Sequence, residues 1–343
     1  MIFFNLSLLQ NYCGPVLLRC HSLGSSTYVR VRLASWLACA LHNRLLMTFC
    51  KSLKLYLFFM MICFCATSSF AESYAVAKIA APVLNSPEFG KVFGGRDGKT
   101  LKTDSCGQVR EMEFIALPGT AFKIVGKSGS GQNTVYRVVT ADYPAATGVS
   151  LYVDSRFLEL RNDSPPPRKR ALPSKQEIVS RMKAASGLSY VWGGNIRQGV
   201  SELFNFYYQE KFQGKDEKHL ILAGLDCSGL LYETTNGWTP RNTSALIRFG
   251  DGVSVAGKSL KQITELLEPL DLIVWNGHVL IVLDKQTIIE SRLECGKPGN
   301  GGVVISSLQQ RLSSIIKTRQ PVNEWPVGGK KKDLFVVRRW YPT

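Results

Sequence analysis

A cysteine stands at the head of an apolar run in Asp226-Cys227-Ser228-Gly229, between Leu225 and Leu230-Leu231-Tyr232. If that run is helical, Cys227 sits in the first turn, where backbone N–H groups lack partners and the dipole is positive. Both favour thiolate over thiol. The thiolate is the nucleophilic form, so the placement suits a catalytic cysteine. A buried cysteine packed beside a helix is the commoner fate of a free thiol and is the competing reading. His278 supplies a base: it heads Val279-Leu280-Ile281-Val282-Leu283, behind Asn276-Gly277, where a strand start would hold an imidazole on rigid backbone at a sheet edge. His219 lies in the charged stretch Lys215-Asp-Glu-Lys-His219 and reads as solvent-facing.

A third group must orient the imidazole and balance its charge. If strands 278–283 and 287–291 are joined by Asp284, Lys285 and Gln286, Leu283 pairs with Thr287 and Leu280 with Glu290. His278 then shares a face with Glu290. A two-residue turn would put Ser291 on that face instead. An exposed acid at a strand end is the alternative for Glu290.

These residues fall in a second domain, 174–343. Ser174-Lys-Gln-Glu177 is a capping box ahead of Ile178, Val179, Met182 and Ala185 at helical spacing, with Gly187 as the stop. The pattern predicts helix 175–186, a long and partly helical connection over 195–224, and a helix from Cys227 to Asn236-Gly237. Strands are predicted at 271–275, 278–283 and 287–291, a helix near 306–316 and a last strand at 334–341. A helix group followed by a strand group predicts α+β with an antiparallel sheet.

Residues 72–160 read instead as short strands. Ala75–Ile79, Phe114–Ala116, Phe122–Val125, Val135–Val139 and Leu151–Val153 are separated by Gly, Pro, Asn and Ser, which suggests a small β-barrel or sandwich. Residues 161–173 form a Pro-rich linker. Its three consecutive prolines make it semi-rigid, with a reach of about 37 Å for twelve extended residues.

The chain has 343 residues, 45% hydrophobic and 20% charged, with net charge +16. That composition excludes wholesale disorder and collagen-like repeats. No Asp or Glu precedes Glu72, and six of the nine cysteines lie in that stretch. From Met47 it has the parts of a secretory signal: Lys51 and Lys54, the apolar Leu55–Ala66, then small residues at Ser69 and Ala71. The apolar core is shorter than the roughly 20 residues of a membrane anchor. Residues 1–46 are read as an upstream extension outside the true product, with Met47 the start.

Removing 1–71 leaves 36 basic and 26 acidic residues, a charge of +10, with Cys106, Cys227, Cys295, His219 and His278. The expected setting is the periplasm or cell envelope, with no stable membrane span after cleavage. The charge suits a polyanionic or membrane-adjacent environment. Arg168-Lys169-Arg170 and Lys330-Lys331-Lys332 are read as solvated runs rather than a nucleic-acid surface. The histidines and cysteines show no zinc spacing, so neither metal nor cofactor is expected. Whether Cys106 and Cys295 pair after export is left open by the sequence.

Tyr190-Val-Trp-Gly-Gly194, Leu225-Asp-Cys-Ser-Gly229, Pro240-Arg-Asn-Thr-Ser244, Leu270-Asp-Leu-Ile273 and Gly277-His-Val279 together resemble the NlpC-type cell-wall peptidases, which are papain-like cysteine peptidases. The resemblance covers the whole second domain. Gly148-Val-Ser-Leu-Tyr-Val-Asp-Ser-Arg-Phe-Leu158 resembles the closing strand of bacterial SH3-like modules, which often precede such domains. The resemblance implies a papain-like α+β domain behind an all-β SH3-like barrel. It implies hydrolysis of peptidoglycan stem peptides or muropeptides, usually between γ-D-glutamate and the diamino acid.

By position Cys227 is then the nucleophile, His278 the base and Tyr190 the residue that orients the nucleophile and lines the oxyanion site. Asp226, Ser228 and Arg241 are assigned to substrate binding. Three departures stand out. Glu290 occupies a position usually held by histidine, Leu270 one usually held by glycine, and 195–224 is long. Its Phe204, Phe206, Tyr207, Tyr208 and Phe212 either pack on the domain or wall the substrate cleft. A non-catalytic wall-binding protein, and an acyltransferase or amidase on the same scaffold, are the rival functions. N-terminal sequencing of exported protein is expected to begin at Glu72; a mature chain retaining residues before Met47 would overturn the signal assignment.

Overall fold

Apolar and β-branched runs separated by turn residues pair into one antiparallel sheet across residues 73–161. Its strands are β1 (Ser73–Ala77), β2 (Ala81–Leu84), β3 (Met112–Ala116), β4 (Ala121–Ser128), β5 (Val135–Val139), β6 (Leu151–Asp154) and β7 (Leu158–Arg161), in the order β3-β2-β6-β5-β4-β1-β7. Five of these were visible as apolar runs. Two were not, for separate reasons. β2 carries Pro82, which cannot donate to a ladder; its pairing with β6 is confined to Leu84↔Tyr152, so the missing N–H costs little. β7 carries the charged Glu159 and Arg161 and pairs along β1.

The computed structural model describes residues 73–209, 215–326, 328 and 333–342. The signal and upstream segments, Phe212 and Lys330-Lys331-Lys332 lie outside them. The described residues belong to one unit of the chain, and no helix among them is long and apolar enough to cross a membrane.

A second antiparallel sheet runs β10 (Asp251–Gly252), β16 (Leu334–Arg339), β11 (Leu272–Trp275), β12 (His278–Val282), β13 (Thr287–Leu293), β14 (Gly301–Ser307), with β15 (Gln320–Pro321) added in parallel to β16. Its central strands are nearly continuous apolar sequence because both faces are covered. Helices α1 (Lys175–Ala184), α2 (Cys227–Thr234) and α3 (Leu308–Ile316) feed the same core, through Ile178 and Met182, Leu230 and Leu231, and Leu312 and Ile315. Each begins at a side-chain cap: Ser174, Asp226 and Ser307. β14 had no expectation of its own; its Gly301-Gly302 start disguised it.

The connection over 195–224 contains strand pair β8 (Asn195–Ile196) and β9 (Gly224–Leu225) and short helices over 202–207 and 215–220. Val200, Leu203, Tyr208, Leu220 and Leu222 are buried in the core of the first sheet, with Phe204, Phe206 and Tyr207 packed against it. Its described aromatics therefore close a core that the seven strands leave open.

The basic run Arg168-Lys169-Arg170 is not solvated as a whole. Arg168 donates to the carbonyls of Asn236 (3.0 Å) and Gly237 (3.2 Å) just past α2, and with Arg170 it pairs with Asp142. Gly237 makes room, since a Cβ there would stand 2.3 Å from an Arg168 terminal nitrogen. Arg168 thus straps its segment over the end of α2.

Leu270 adopts φ 75°, the conformation for which glycine is the usual choice. Two hydrogen bonds hold it: its N–H donates to Val282 (2.8 Å) and its carbonyl accepts from the Trp340 indole (2.8 Å). The side chain is buried. A left-handed leucine costs about 1–2 kcal/mol, whereas burying its side chain contributes about 1.5–3 kcal/mol. Leu270→Gly is therefore expected to lower stability by about 1 kcal/mol in urea unfolding, because lost burial outweighs relieved strain. A more stable variant would reverse that ordering.

Candidate active site

α2 begins where the sequence places it. Asp226 is its N-cap, with Oδ1 accepting from Gly229 N–H at 2.6 Å, and Cys227 is the first helical residue. The helix start is fixed by backbone contact as well. A Cβ on Gly229 would lie 2.0 Å from the Gly194 carbonyl oxygen, so glycine at this position lets α2 lie against the Tyr190–Gly194 motif. Cys227 is buried and is the free cysteine among the described residues. Its Sγ lies 3.9 Å from the Gly277 carbonyl, at the turn that delivers His278. That turn is the Asn276-Gly277 hairpin between β11 and β12, where Trp275 pairs with His278 and Gly277 N–H donates to Thr243 Oγ1 (2.9 Å).

The β12–β13 hairpin has the expected three-residue connection. Asp284 organises it by accepting from the N–H groups of Gln286 and Thr287. The register is Ile281↔Ile289 and Val282↔Ile288. Continued by one residue, it sets Leu280 against Glu290, and His278, two residues from Leu280, on the same face as Glu290. His278 Nε2 stands 2.6 Å from Glu290 Oε2. Ser291, the alternative, points to the other face and donates to the Leu225 carbonyl at 2.6 Å.

Glu290 has no exposed side-chain surface, and three cationic groups surround it. Besides His278, Arg311 of α3 engages both carboxylate oxygens (2.7 and 2.9 Å), and Arg292 reaches Oε1 at 3.2 Å. Arg292 also pairs with Glu294 at 3.0 Å. Neither arginine was singled out in the sequence. The signals were present: Arg292 is two residues from Glu290 on one strand face, and Arg311 follows Leu308 by three beside the buried stripe of α3.

Burial alone would push the Glu290 carboxyl up; the bonds from His278 and Arg311, and their charges, bring it down to about 2. Burial would likewise push the His278 imidazolium down, but its side-chain bonds to Cys227 and Glu290, with their charges, raise it to about 9. With Nε2 on Glu290, the thiol bond falls to Nδ1. These shifts set the pH dependence of stability. His278 contributes stability that is whole below pH 6.5 and lost as pH rises through about 9. Glu290 contributes stability that is whole above pH 4.5 and lost as pH falls through about 2.

Tyr190 is half-buried, and burial first, then the charges of Asp226 and Cys227, hold its phenol protonated well above the ordinary range. Asp226, Ser228 and Arg241 also meet, but below the surface and on one another. Arg241 donates to Asp226 Oδ1 and Oδ2 (3.0 and 2.7 Å), Ser228 Oγ (2.8 Å), Asn195 Oδ1 (3.0 Å) and the Gly194 carbonyl (3.3 Å). The three residues assigned to substrate binding are thus buried, and the guanidinium is occupied from within. Asn195, not anticipated, carries this network to the first sheet through paired bonds with Ile115, both 2.9 Å.

No protein-family model matches the chain, and no curated protein matches it in sequence. Among solved structures it is similar to an NlpC/P60 family protein from Bacillus cereus, at 16% identity and TM-score 0.28 over 80% of this chain and 65% of that one. The chain thus covers just under two thirds of that protein. It is similar to RipD from Mycobacterium tuberculosis, described as a non-catalytic NlpC/p60 domain protein adapted to peptidoglycan binding, at 18% identity and TM-score 0.26 over 39% of this chain and 87% of that one. A third likeness is to NlpC2 from Trichomonas vaginalis, at 14% identity and TM-score 0.26 over 79% and 74%. These likenesses assign neither activity nor substrate.

Glu290→Gln removes one negative charge from beside His278. The His278 imidazole, followed by NMR, is expected to titrate well below pH 9 in the variant; an unchanged midpoint would show that Glu290 does not set it.

Proposed function

We propose that the protein is an exported cysteine peptidase that hydrolyses peptidoglycan stem peptides, with Cys227 as nucleophile, His278 as acid and base, and Glu290 as the group that orients the imidazole. The observation that carries this reading is the unbroken chain from a helix-start cysteine to His278 and from His278 to a buried carboxylate. That order of nucleophile, base and orienter is what acyl transfer through a thioester requires.

In this reading the Cys227 sulfur attacks the scissile carbonyl carbon. The oxyanion forms near the Cys227 backbone N–H, one of the orphan donors of the helix start, and near Tyr190. The C–N bond breaks as His278 gives its Nδ1 proton to the leaving amine. Neutral His278 then takes a proton from water, the hydroxide adds to the thioester, and the C–S bond breaks to regenerate the sulfur. Asp226 and Arg241 act one layer below as positioning residues, fixing where α2 starts.

The finer assignments belong to the proposal as well. They are the bond between γ-D-glutamate and the diamino acid, the papain-like character of the second domain, and an SH3-like character for 72–160. So are a 161–173 linker, cleavage after Ala71, and residence in the periplasm or envelope. The motif resemblance and the basic mature chain support them.

Cys227→Ala is expected to abolish release of stem-peptide products from muropeptides, read by mass spectrometry, while circular dichroism stays unchanged. The corresponding changes at Cys106 or Cys295 should leave kcat within about twofold, because neither touches the reacting atoms. Activity retained in Cys227→Ala would overturn the mechanism. An inactive wild-type protein that still binds muropeptides would favour a wall-binding role.

A further inference from the structure

Besides the Ile115–Asn195 bonds, a loop over 104–110 reaches the active-site motifs. Asp104 organises it, its Oδ1 accepting from the N–H groups of Cys106 (2.8 Å) and Gln108 (2.9 Å) and its Oδ2 from Arg110 Nε. Cys106 is disulfide-bonded to Cys295, on the connection between β13 and β14, with Cα atoms 5.1 Å apart. The pairing that the sequence left open therefore forms, and it ties residues 189 apart. Gly107 turns the loop at φ 69°, a conformation that favours glycine, beside the His219 and Asn300 side chains.

On its other side the loop meets the Tyr190–Gly194 motif. Gln108 Oε1 accepts from the Trp192 N–H at 2.8 Å, and the Arg110 guanidinium lies 4.5 Å over the Trp192 ring. Trp192 is 40% exposed, and the Arg110 side chain 41%. The Arg110 charge is felt at the Tyr190 phenol, which in turn feels Cys227. Among the described residues, Arg110 bonds through Nε alone, and its side chain is 41% exposed, which leaves its two terminal nitrogens available to a ligand. A guanidinium held over an indole, with its fork unpaired, is suited to bidentate bonds with a carboxylate.

We propose that Arg110 is a specificity-determining residue that receives a carboxylate near the scissile bond of the substrate, and that the Cys106–Cys295 disulfide holds it in position. This rests on the stem-peptide reading above. An unanchored loop would have to be ordered at the moment of binding, at a cost in affinity; the disulfide and the Gln108–Trp192 bond order it beforehand.

The test uses Cys227→Ala protein, so that binding is measured without turnover. The probes are the tripeptide L-Ala-γ-D-Glu-diaminopimelate and two copies, one with the glutamate α-carboxyl and one with the diaminopimelate carboxyl adjoining the scissile amide converted to carboxamide. By calorimetry the parent is expected to favour the free acid over one of the amides by roughly ten- to hundredfold, as for a charge-assisted bond. Arg110→Ala should erase that preference, and Arg110→Lys, which cannot fork, should restore only part of it. In otherwise wild-type enzyme, Cys106→Ser with Cys295→Ser should raise KM and weaken the same preference at unchanged kcat. Equal binding of all three probes by the parent, or a preference surviving Arg110→Ala, overturns the role of Arg110. An unchanged KM and preference without the disulfide overturns the anchoring. Failure of every probe to bind overturns the stem-peptide reading itself.

Discussion

A fully buried carboxylate must be matched by positive charge, and the second sheet with its helices is arranged around meeting that demand at Glu290. Taking an ionised carboxylate out of water is prohibitive unless it is paired and hydrogen-bonded. Here β12 supplies His278, β13 supplies Arg292, and α3 supplies Arg311. The register of one hairpin and the docking of one helix therefore have to be correct together. A one-residue slip in β13 would put Ser291 in place of Glu290, turn Arg292 to the other face and leave Arg311 and His278 facing one another without a counter-charge. The pairing makes the site geometry and the fold of the sheet the same constraint.

Where the resembled family usually has a histidine, Glu290 here comes with a set of cationic partners. A neutral imidazole at that place would need no counter-charge, and an arginine beside it would be a liability. A carboxylate requires one. Arg311 takes both oxygens, while Arg292 is shared with Glu294, which moderates its pull. The oxygen shared with Arg311 is also the one that meets His278, so the carboxylate orients the imidazole while remaining ionised. A second buried network, Asp226–Arg241–Asn195, does for the start of α2 what Glu290 does for the hairpin. Through Ile115 it draws the first sheet into the same construction.

How much of this was legible follows the range of the interactions. Cys227 at a helix start, His278 at a strand start and Glu290 across a three-residue connection are local matters of capping, turn length and period, and they could be read directly. The left-handed Leu270 was flagged by its place in a motif, but what holds it there, Trp340, is 70 residues away. Asn195 and the Cys106–Cys295 bond depend on long-range packing, which periodicity does not encode. Arg241 shows the converse limit. Its motif marked it as important, but only burial reveals that its donors turn inward. Arg168 was masked by its neighbours, since a basic run beside prolines looks solvated until a helix end is found under it.

The raised imidazolium of His278 bears on how one residue serves as acid and then as base. A histidine fixed as imidazolium to about pH 9 is well placed to protonate a leaving amine near neutrality, but it is a poor base for the water step. Two groups raise it, however, and they behave differently along the proposed path. Glu290 is permanent: buried, held by Arg311, and ionised down to about pH 2. Cys227 is not permanent. Once its sulfur is bound to an acyl carbon it can no longer carry charge or accept a proton bond as a thiolate, so that part of the support for the imidazolium is withdrawn. Burial, which opposes the charged ring throughout, then weighs more heavily. The histidine that has just given up its proton is therefore not driven to recover one before water arrives. Regenerating the free sulfur restores the condition for the acid form. In this scheme the covalent step itself switches the proton affinity of the base, with Glu290 keeping the ring oriented in both states.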